Sequence, residues 1–283
     1  DIFYNDPGVL HISLHHDGRT LYPGTGSIDE RGGPAAYGLT VNIPLPPGTG
    51  DPGMLYVMEH LVMPTLHDWQ PDLIVNAAGQ DNHYTDPLTN MNFTAQGYAR
   101  LTQMLAPDVV VLEGGYSIEG ALPYVNLGIL LALAGLDYSA VREPDWRPDS
   151  ATQPQAVTDA IARTVTALQG LWATRREADL EAIFGAGQFF QRRRDIYYDT
   201  DNIMERQSEQ IRLCNTCSGW RSIRSEALHA FSGRAVRIGA VIIPRRACRQ
   251  CRLDAQGEFE QLSALRRAGR LNLTYLQDVE ADS

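Results

Sequence analysis

The sequence lacks lysine altogether, has few cysteines, and has no long hydrophobic run. All 24 of its basic residues are arginine, and only four of its 283 residues are cysteine, which excludes a disulfide-dense secreted scaffold. The longest apolar stretch, NLGILLALAGL at 126–136, is too short to cross a bilayer and is better interpreted as a buried helix. The first residues show no charged region followed by an apolar stretch, so no signal peptide is expected. These absences predict a cytoplasmic protein with no membrane partner.

Length and composition indicate a globular chain. With 43% hydrophobic residues, 283 residues can bury one substantial core and a smaller appendage. The net charge of −10 is unevenly distributed, because residues 1–190 hold 8 Arg and 22 acidic residues whereas residues 191–283 hold 16 Arg and 12 acidic residues. The arginine-rich tail is therefore a candidate for weak contact with nucleic acid or protein.

The first part of the chain alternates between strand-like and helix-like stretches. The predicted elements are strands at 9–15 and 39–45, a helix at 54–69, a strand at 72–78, a helix at 95–105, a strand at 108–113 and a helix at 118–136. Strands separated by helices of this length predict an α/β fold with a parallel sheet. The continuous apolar character of Leu73, Ile74 and Val75 predicts a strand that is covered on both faces.

Composition also divides the chain. A proline-rich segment at 142–155 is followed by an amphipathic helix, and after Gly187 the sequence becomes polar and arginine-rich. We predict a first domain at 1–176, a linker or helix at 177–205 and a small second domain at 206–283.

Polar or glycine-rich residues follow three of the predicted strands. They lie in SLHHDGRTLYPGTG (13–26), GQDNHYTDPL (79–88) and EGGYS (113–117). Ligands of parallel sheets bind at the carboxyl ends of strands, so Asp81 is placed for a metal ligand or catalytic acid, and Gly114 and Gly115 allow the close backbone approach that a narrow substrate channel needs. The structural alternatives are a turn or helix-capping Asp81 and a tight strand-to-helix turn with a buried Tyr116.

The order of these segments resembles one enzyme family. FYNDPGVLHISLHHDGRTLYPGTG, PDLIVNAAGQDNHYTDPL and VVVLEGGYSIEGAL resemble consecutive segments of zinc-dependent histone deacetylases, particularly bacterial deacetylases and acetylpolyamine amidohydrolases, over about residues 1–175. The resemblance implies an arginase/deacetylase-type α/β fold in which two aspartates and a histidine hold one zinc. It also implies removal of acetyl groups from acetyl-lysine in proteins or from acetylated polyamines.

The same resemblance assigns roles to individual residues. Asp81 matches the last zinc-ligand aspartate, and Tyr116 matches the catalytic tyrosine whose hydroxyl binds the acyl carbonyl oxygen and the oxyanion formed from it. The other matches are Tyr22 and Leu88, which line the acyl channel, and Ser13 and Leu14, which belong to a structural potassium site.

The sequence also departs from the family. The paired histidines of proton transfer and the Asp-x-His ligand pair belong upstream of the matched segments, and this sequence does not contain them. His15 and His16 match a structural position, and His83 is expected to support the site rather than bind the ion. We therefore expect a later part of a deacetylase domain that has an incomplete zinc site and is inactive by itself.

The four cysteines form two Cys-x-x-Cys pairs, Cys214 with Cys217 and Cys248 with Cys251. Two such pairs, each on a turn, are typical of a structural zinc of the ribbon type. Disulfides or a redox motif are the alternative. The stretch RAVRIGAVIIP between the pairs is predicted to be a strand of a small sheet.

Two functions are compatible with these patterns. The first is a zinc-dependent deacetylase. The alternative is an inactive fragment whose zinc-ribbon-like tail binds nucleic acid or protein, supported by Arg192, Arg193 and Arg194 and by Arg245 and Arg246.

Overall fold

The chain folds into two compact units. The computed structural model describes residues 2–21, 24–147, 152–198 and 200–278. One unit, the α/β unit, comprises Leu10–Arg31 and Val41–Arg176. The other, the tail unit, comprises the described residues of Asp1–Val9, Gly32–Thr40 and Glu177–Ser283. The helices of the described residues are too short or too polar to span a bilayer.

The α/β unit contains the alternating strands and helices that the sequence predicts. Its elements are β1 (His11–His16), β2 (Thr40–Leu45), α1 (Asp51–Val57), a π-helical turn (Met58–Val62), α2 (Met63–Trp69), β3 (Val75–Gly79), α3 (Ala95–Leu105), β4 (Val109–Glu113), α4 (Leu122–Leu133) and α5 (Gln155–Ala173). The single helix predicted at 54–69 is thus one helical run that widens at its centre. Side chains from these strands, helices and their connecting loops pack into one hydrophobic core, which includes Ile43, Met54, Phe93, Val125 and Ile161.

The strands of this unit form two separate pairs, β1 with β2 and β3 with β4. β3 and β4 are parallel, in the register Val75↔Val109 to Gly79↔Glu113. The prediction that β3 is covered on both faces is wrong, since Leu73, Val75 and Val111 are half exposed or more. Their apolar side chains lack a covering layer because the described sheet has only two strands here.

Helix α4 is covered on one side only, although its composition predicts a buried helix. Val125, Gly128 and Ile129 face the core, where a Cβ at Gly128 would lie 2.9 Å from the carbonyl oxygen of Ala95. Leu130 on the opposite side is largely exposed, as are its apolar neighbours Leu127, Leu133 and Leu136. The α/β unit therefore exposes apolar side chains on β3, β4 and α4.

The tail unit is built around a five-stranded sheet. Its elements are a short helix α6 (Leu180–Phe184), β5 (Phe189–Tyr198), β6 (Ile203–Arg212), β7 (Arg221–His229), β8 (Ala235–Ile243), α7 (Arg249–Arg267) and β9 (Leu273–Asp278), and the strand order follows the chain. β5 to β8 are antiparallel, and β9 pairs with β8 in parallel. The strand predicted between the cysteine pairs is β8.

The segment assigned to a linker or helix, 177–205, contains α6 and β5 and contributes a strand to this sheet. Two stretches from the beginning of the chain also belong to the tail unit. Asn5 joins them, because its amide nitrogen donates to the carbonyl of Ser218 at 3.0 Å and its amide oxygen accepts from the backbone of Ala35 at 2.8 Å.

One face of the tail sheet packs against α7 through a small core. Trp220, Val241, Ile243, Ala255 and Leu262 are its buried apolar side chains. Buried Cys251 lies among them, so this core is continuous with the cysteine cluster.

Candidate functional site

Parallel pairing brings two of the predicted strand ends to one edge of the β3–β4 sheet. The last paired residues are Gly79 and Glu113, and the backbone N–H of Gln80 extends the pairing by donating to the Glu113 carbonyl at 3.1 Å. Asp81 follows β3 by two residues, and Gly114 follows β4 directly. Their positions at a shared edge result from the register.

The Asp81 carboxylate lies against the backbone of the opposite strand end. A Cβ placed on Gly114 would be 3.5 Å from its Oδ2, and one placed on Gly79 would be 3.6 Å from its Oδ1. Partial burial raises the pKa of Asp81, and the nearby charges of Asp86 and Glu113 raise it further. A cation at this carboxylate would relieve that unfavourable charge.

The turn after β4 requires glycine. Gly114 and Gly115 have φ angles of 60° and 90°, which L side chains rarely adopt. A Cβ on Gly115 would also lie 2.7 Å from Leu122 Cδ2 and 2.8 Å from Gln80 Cβ. The turn delivers Tyr116 to the surface, where its side chain is 54% exposed.

Asp86 holds the loop that follows β3 to the turn that follows β4. Its Oδ2 accepts a hydrogen bond from the backbone N–H of Tyr116 at 2.7 Å, and its Oδ1 accepts one from the N–H of Leu88 at 2.9 Å. A carboxylate that accepts two backbone hydrogen bonds fixes both chain segments. The position of Tyr116 therefore depends on Asp86, a residue for which no role was predicted from the sequence.

A second, buried connection runs from the same turn into the core. Ser117 Oγ lies 2.7 Å from Thr85 Oγ1, which lies 2.9 Å from His83 Nδ1. His83 Nε2 lies 2.7 Å from Glu143 Oε1, and the same oxygen accepts from the N–H of Ala95 at 2.6 Å. With Glu143 as a carboxylate, His83 donates from Nε2 and accepts at Nδ1. Both ring nitrogens are engaged, so His83 is bound within the protein rather than directed at a metal.

Glu143 is buried and charged. Burial raises the pKa of Glu143, but hydrogen bonds from His83 and from the Ala95 backbone outweigh it and leave the pKa below its ordinary value. No sequence pattern indicates this role, because Glu143 lies in the proline-rich segment, far along the chain from the loop that it supports.

The remaining predicted residues are spread more widely. Leu88 is exposed and lies in the loop held by Asp86. Ser13 and Leu14 belong to β1, where Ser13 Oγ is 3.0 Å from His15 Nδ1 and Leu14 packs against the core. Tyr22 lies outside the described residues. The channel and potassium roles of these four residues stay predictions.

The residues around Asp81 do not by themselves complete a zinc site. Zinc in a hydrolase takes three protein ligands and leaves one position open. Within the described parts of the chain, no group of three or more His, Cys, Asp or Glu side chains that could hold a metal includes Asp81. Asp81 suits the role of one ligand, and the described residues do not supply the full set of donors.

The four cysteines of the tail unit do form a complete donor set. Their Sγ atoms all lie within 4.8 Å of one another. Cys214 and Cys217 lie in the connection from β6 to β7, whereas Cys248 caps α7 and Cys251 lies in its first turn. The expected arrangement of two turns is thus wrong for the second pair, because the start of a helix brings its two sulfurs to the cluster.

The pKa values of the four cysteine thiols are shifted in opposite directions. A hydrogen bond from Thr216 lowers the pKa of Cys214 to about 6, and a backbone hydrogen bond within the first turn of α7 lowers that of Cys248. Burial raises the pKa of Cys217 and of Cys251. Four thiolates this close repel one another, and a divalent metal would stabilise all four.

Comparison with known proteins identifies the first part of the chain. Residues 1–126 match the histone deacetylase domain. This segment is similar to members of the histone deacetylase family. The chain is 51% identical over 154 residues to a probable deacetylase of Archaeoglobus fulgidus, covering 51% of this chain and 42% of that protein. It is 35% identical over 153 residues to the acetoin utilization protein AcuC of Bacillus subtilis, covering 51% of this chain and 40% of that protein.

A solved structure supports the fold. The crystal structure of the HDA15 HD domain matches with a TM-score of 0.51 and 30% sequence identity, covering 62% of this chain and 48% of that one. This chain therefore spans less than half the length of the relatives that it matches. The α/β fold predicted from the sequence is confirmed, as is the resemblance to deacetylases.

The glycine turn yields a first prediction. We expect Gly115→Ala to lower the free energy of unfolding by about 2–4 kcal/mol, because it combines a strained φ with an overlap against Gln80 and Leu122. Gly135→Ala is the matched control, since Gly135 has a φ of 67° with nothing within 4 Å of the added Cβ, and should cost only about 1 kcal/mol. Urea unfolding measures both. Equal losses would contradict the packing of the turn against Gln80.

The buried carboxylate yields a second prediction. Because the pKa of Glu143 is lower folded than unfolded, its charge stabilises the fold above the unfolded value of about 4.3 and ceases to do so as pH falls through the folded value. Glu143→Gln should therefore cost about 1–3 kcal/mol at pH 7 and progressively less as pH falls below about 4. The measurement is urea unfolding against pH, with exposed Glu59→Gln as control. If Glu143→Gln lowered the free energy of unfolding by the same amount at every pH, the charge of Glu143 would not contribute to stability.

The cysteine cluster yields a third prediction, on metal content. The purified chain should contain about one zinc per molecule, because four thiolates complete a tetrahedral shell. Cys248→Ser should lose the zinc and unfold the tail unit locally, while Asp81→Ala should keep it. Elemental analysis gives the metal content, and circular dichroism before and after chelation reports folding. A metal-free, fully folded chain, or one with disulfides between these cysteines, would contradict this assignment.

Proposed function

We propose that this chain contributes Asp81 and Tyr116 to the active site of a zinc-dependent deacetylase that acts on acetyl-lysine in proteins or on acetylated polyamines. The observation that carries the proposal is the shared edge of β3 and β4, where a carboxylate with a raised pKa lies against the turn that presents Tyr116. This edge lies within the segment that matches the histone deacetylase domain.

Tyr116 is suited to stabilise charge on the reacting acyl group. Its side chain is exposed, while its backbone is fixed by Asp86 and by the neighbouring Ser117. A phenol hydroxyl held in this way can donate a hydrogen bond to the amide carbonyl oxygen, and that bond strengthens as the oxygen becomes an oxyanion. Removing one such donor typically costs about 3–4 kcal/mol in the transition state.

Asp81 is proposed as one ligand of the zinc, whose chemistry in hydrolases is to polarise the carbonyl and lower the pKa of a bound water. Donors beyond the described residues have to complete its shell. The exposed apolar surface of β3, β4 and α4 supports this inference, since such surfaces commonly pack against further protein. The 283-residue chain by itself is accordingly proposed to be inactive.

The alternative function of the tail, binding nucleic acid, receives little support from its charges. Arginines of the tail sheet and α7 form ion pairs within the unit, among them Arg192 with Glu209, Arg206 with Asp195, Arg237 with Glu226 and Arg252 with Asp278. Paired arginines leave little net positive charge for a phosphate backbone. The zinc proposed at the cysteines is structural, because four thiolates leave no open position for water.

A chimera tests the proposed roles. Residues 1–126 of this chain would replace the matching segment of the Archaeoglobus fulgidus protein, with that unmodified protein as the reference for activity. We expect zinc and deacetylation to be retained, Asp81→Ala to lose the catalytic zinc, and Tyr116→Phe to keep the zinc but lower turnover about a hundredfold or more. Substrates are an acetyl-lysine peptide and an acetylated polyamine.

Two matched controls complete the design. Asp72→Ala, at an exposed position before β3, and Tyr56→Phe, at a partly buried position in α1, should leave both zinc content and turnover unchanged. A chimera in which Asp81→Ala retains full zinc and full rate would show that Asp81 is not a ligand. Chelator-sensitive deacetylation by the 283-residue chain alone would show that its site is complete.

A further inference from the structure

The tail sheet has a concave polar surface that the deacetylase proposal does not use. A cavity of about 520 Å³ lies over β5, β6 and β7, on the face that α7 partly covers. We name it the arginine valley and define it by six of the residues that line it: Gln191, Arg193, Ser208, Gln210, Ser222 and Arg224. Its volume lies within the range of small-molecule sites.

Strand register places two arginines on either side of a serine. Arg193 on β5 pairs with Ser208 on β6, which in turn pairs with Arg224 on β7. Directly paired residues share one face, and neighbouring strands lie about 4.8 Å apart. The two arginine backbones therefore stand about 10 Å apart, with only a small hydroxyl side chain between them.

The next row of the valley is also made of hydrogen-bonding side chains. Gln191, Gln210 and Ser222 pair across the same three strands. The amides of Gln191 and Gln210 make no side-chain hydrogen bond with the described residues. The two rows together offer guanidinium, amide and hydroxyl donors that converge on one concave surface.

Fewer of the arginines in the valley are paired with a carboxylate than in the adjoining row of the sheet. In the adjoining row, Asp195 pairs with Arg206 at 3.0 Å and Glu226 pairs with Arg237 at 3.1 Å. Arg193, in contrast, forms no ion pair or hydrogen bond with the described residues and has a serine opposite it.

Arg224 is only partly neutralised. It reaches Glu258 of α7 at 3.4 Å, and its side chain remains 55% exposed. Glu258 also accepts a hydrogen bond from Ser222 Oγ at 2.9 Å. The cavity is also lined by Arg192 and Glu209, which pair with each other. Among the described residues, only Arg224 of the pair Arg193 and Arg224 has a carboxylate partner, which leaves the valley with excess positive charge.

We infer that the arginine valley binds a small molecule through one phosphate group. A planar carboxylate is already satisfied by a single guanidinium fork, whereas a tetrahedral phosphate presents oxygens to donors on opposite sides. Here Arg193 and Arg224 lie on the strands to either side of Ser208, so that their guanidinium groups can reach one phosphate from two sides. The paired arginines elsewhere in the sheet provide no continuous track for a nucleic-acid backbone, which favours a single phosphate.

The test titrates inorganic phosphate into the purified 283-residue chain at constant ionic strength, followed by calorimetry and by the Nε–H resonances of arginine. We expect saturable binding that shifts the resonances of Arg193 and Arg224. Arg193→Gln and Arg224→Gln should each weaken binding about tenfold or more, since each removes a charge-assisted hydrogen bond. Acetate at the same concentration should bind about tenfold more weakly.

Arg206→Gln is the matched control. Arg206 lies on the same face in the adjoining row but is paired with Asp195, so its loss should leave phosphate binding unchanged. All three variants alter exposed side chains, and circular dichroism checks that they fold. Phosphate binding at this surface requires neither deacetylase activity nor bound zinc.

Three results would overturn it. The first is no saturable binding of phosphate below about 10 mM. The second is an equal effect of Arg193→Gln and Arg206→Gln, which would indicate nonspecific attraction. The third is tighter, steeply salt-dependent binding of a single-stranded oligonucleotide, which would assign the surface to nucleic acid.

Discussion

The parallel pairing of β3 with β4 is the constraint on which the candidate active-site edge depends. Because Gly79 and Glu113 are the last paired residues, Asp81 and the turn at Gly114 leave the sheet together. Hydrogen bonds then hold the loops beyond the strands in place. One joins the backbone of Tyr116 to the Asp86 carboxylate, and a series of them connects Ser117 through His83 to Glu143. A shift of the register by one residue would separate the carboxylate from the turn and leave these bonds unmade.

The tail unit has a small hydrophobic core and depends also on its cysteine cluster and on ion pairs between its strands. Its buried apolar side chains are few, and the cysteine cluster continues that core at the start of α7. Metal binding there would join the β6–β7 connection to the helix, so that folding and binding are expected to be linked. Opposite charges are paired between neighbouring strands of the sheet, whereas Arg193 has no ion-pair partner among the described residues.

Much of the architecture could be predicted from local sequence. Helix α3 occurs where its apolar periodicity places it, at Ala95–Leu105, and the strands at 72–78 and 108–113 differ from β3 and β4 by few residues at their ends. Burial could not be predicted in the same way, because it depends on whether another layer of the protein packs over a residue. Val75 and Leu130 are apolar yet exposed, because composition alone does not reveal whether a covering layer is present.

The sequence by itself determined the identity of the chemical groups: an aspartate after one strand, a glycine pair and tyrosine after another, and two closely spaced cysteine pairs. These follow from short-range patterns, since turns, strand ends and Cys-x-x-Cys spacing involve neighbours in the chain. Only the tertiary structure decided that Asp86 and Glu143 hold the site, that the second cysteine pair begins a helix, and that Arg193 faces Ser208. These contacts join residues far apart in sequence, and the physical reason is that strand register and helix packing, which set distances between distant residues, are properties of the whole fold.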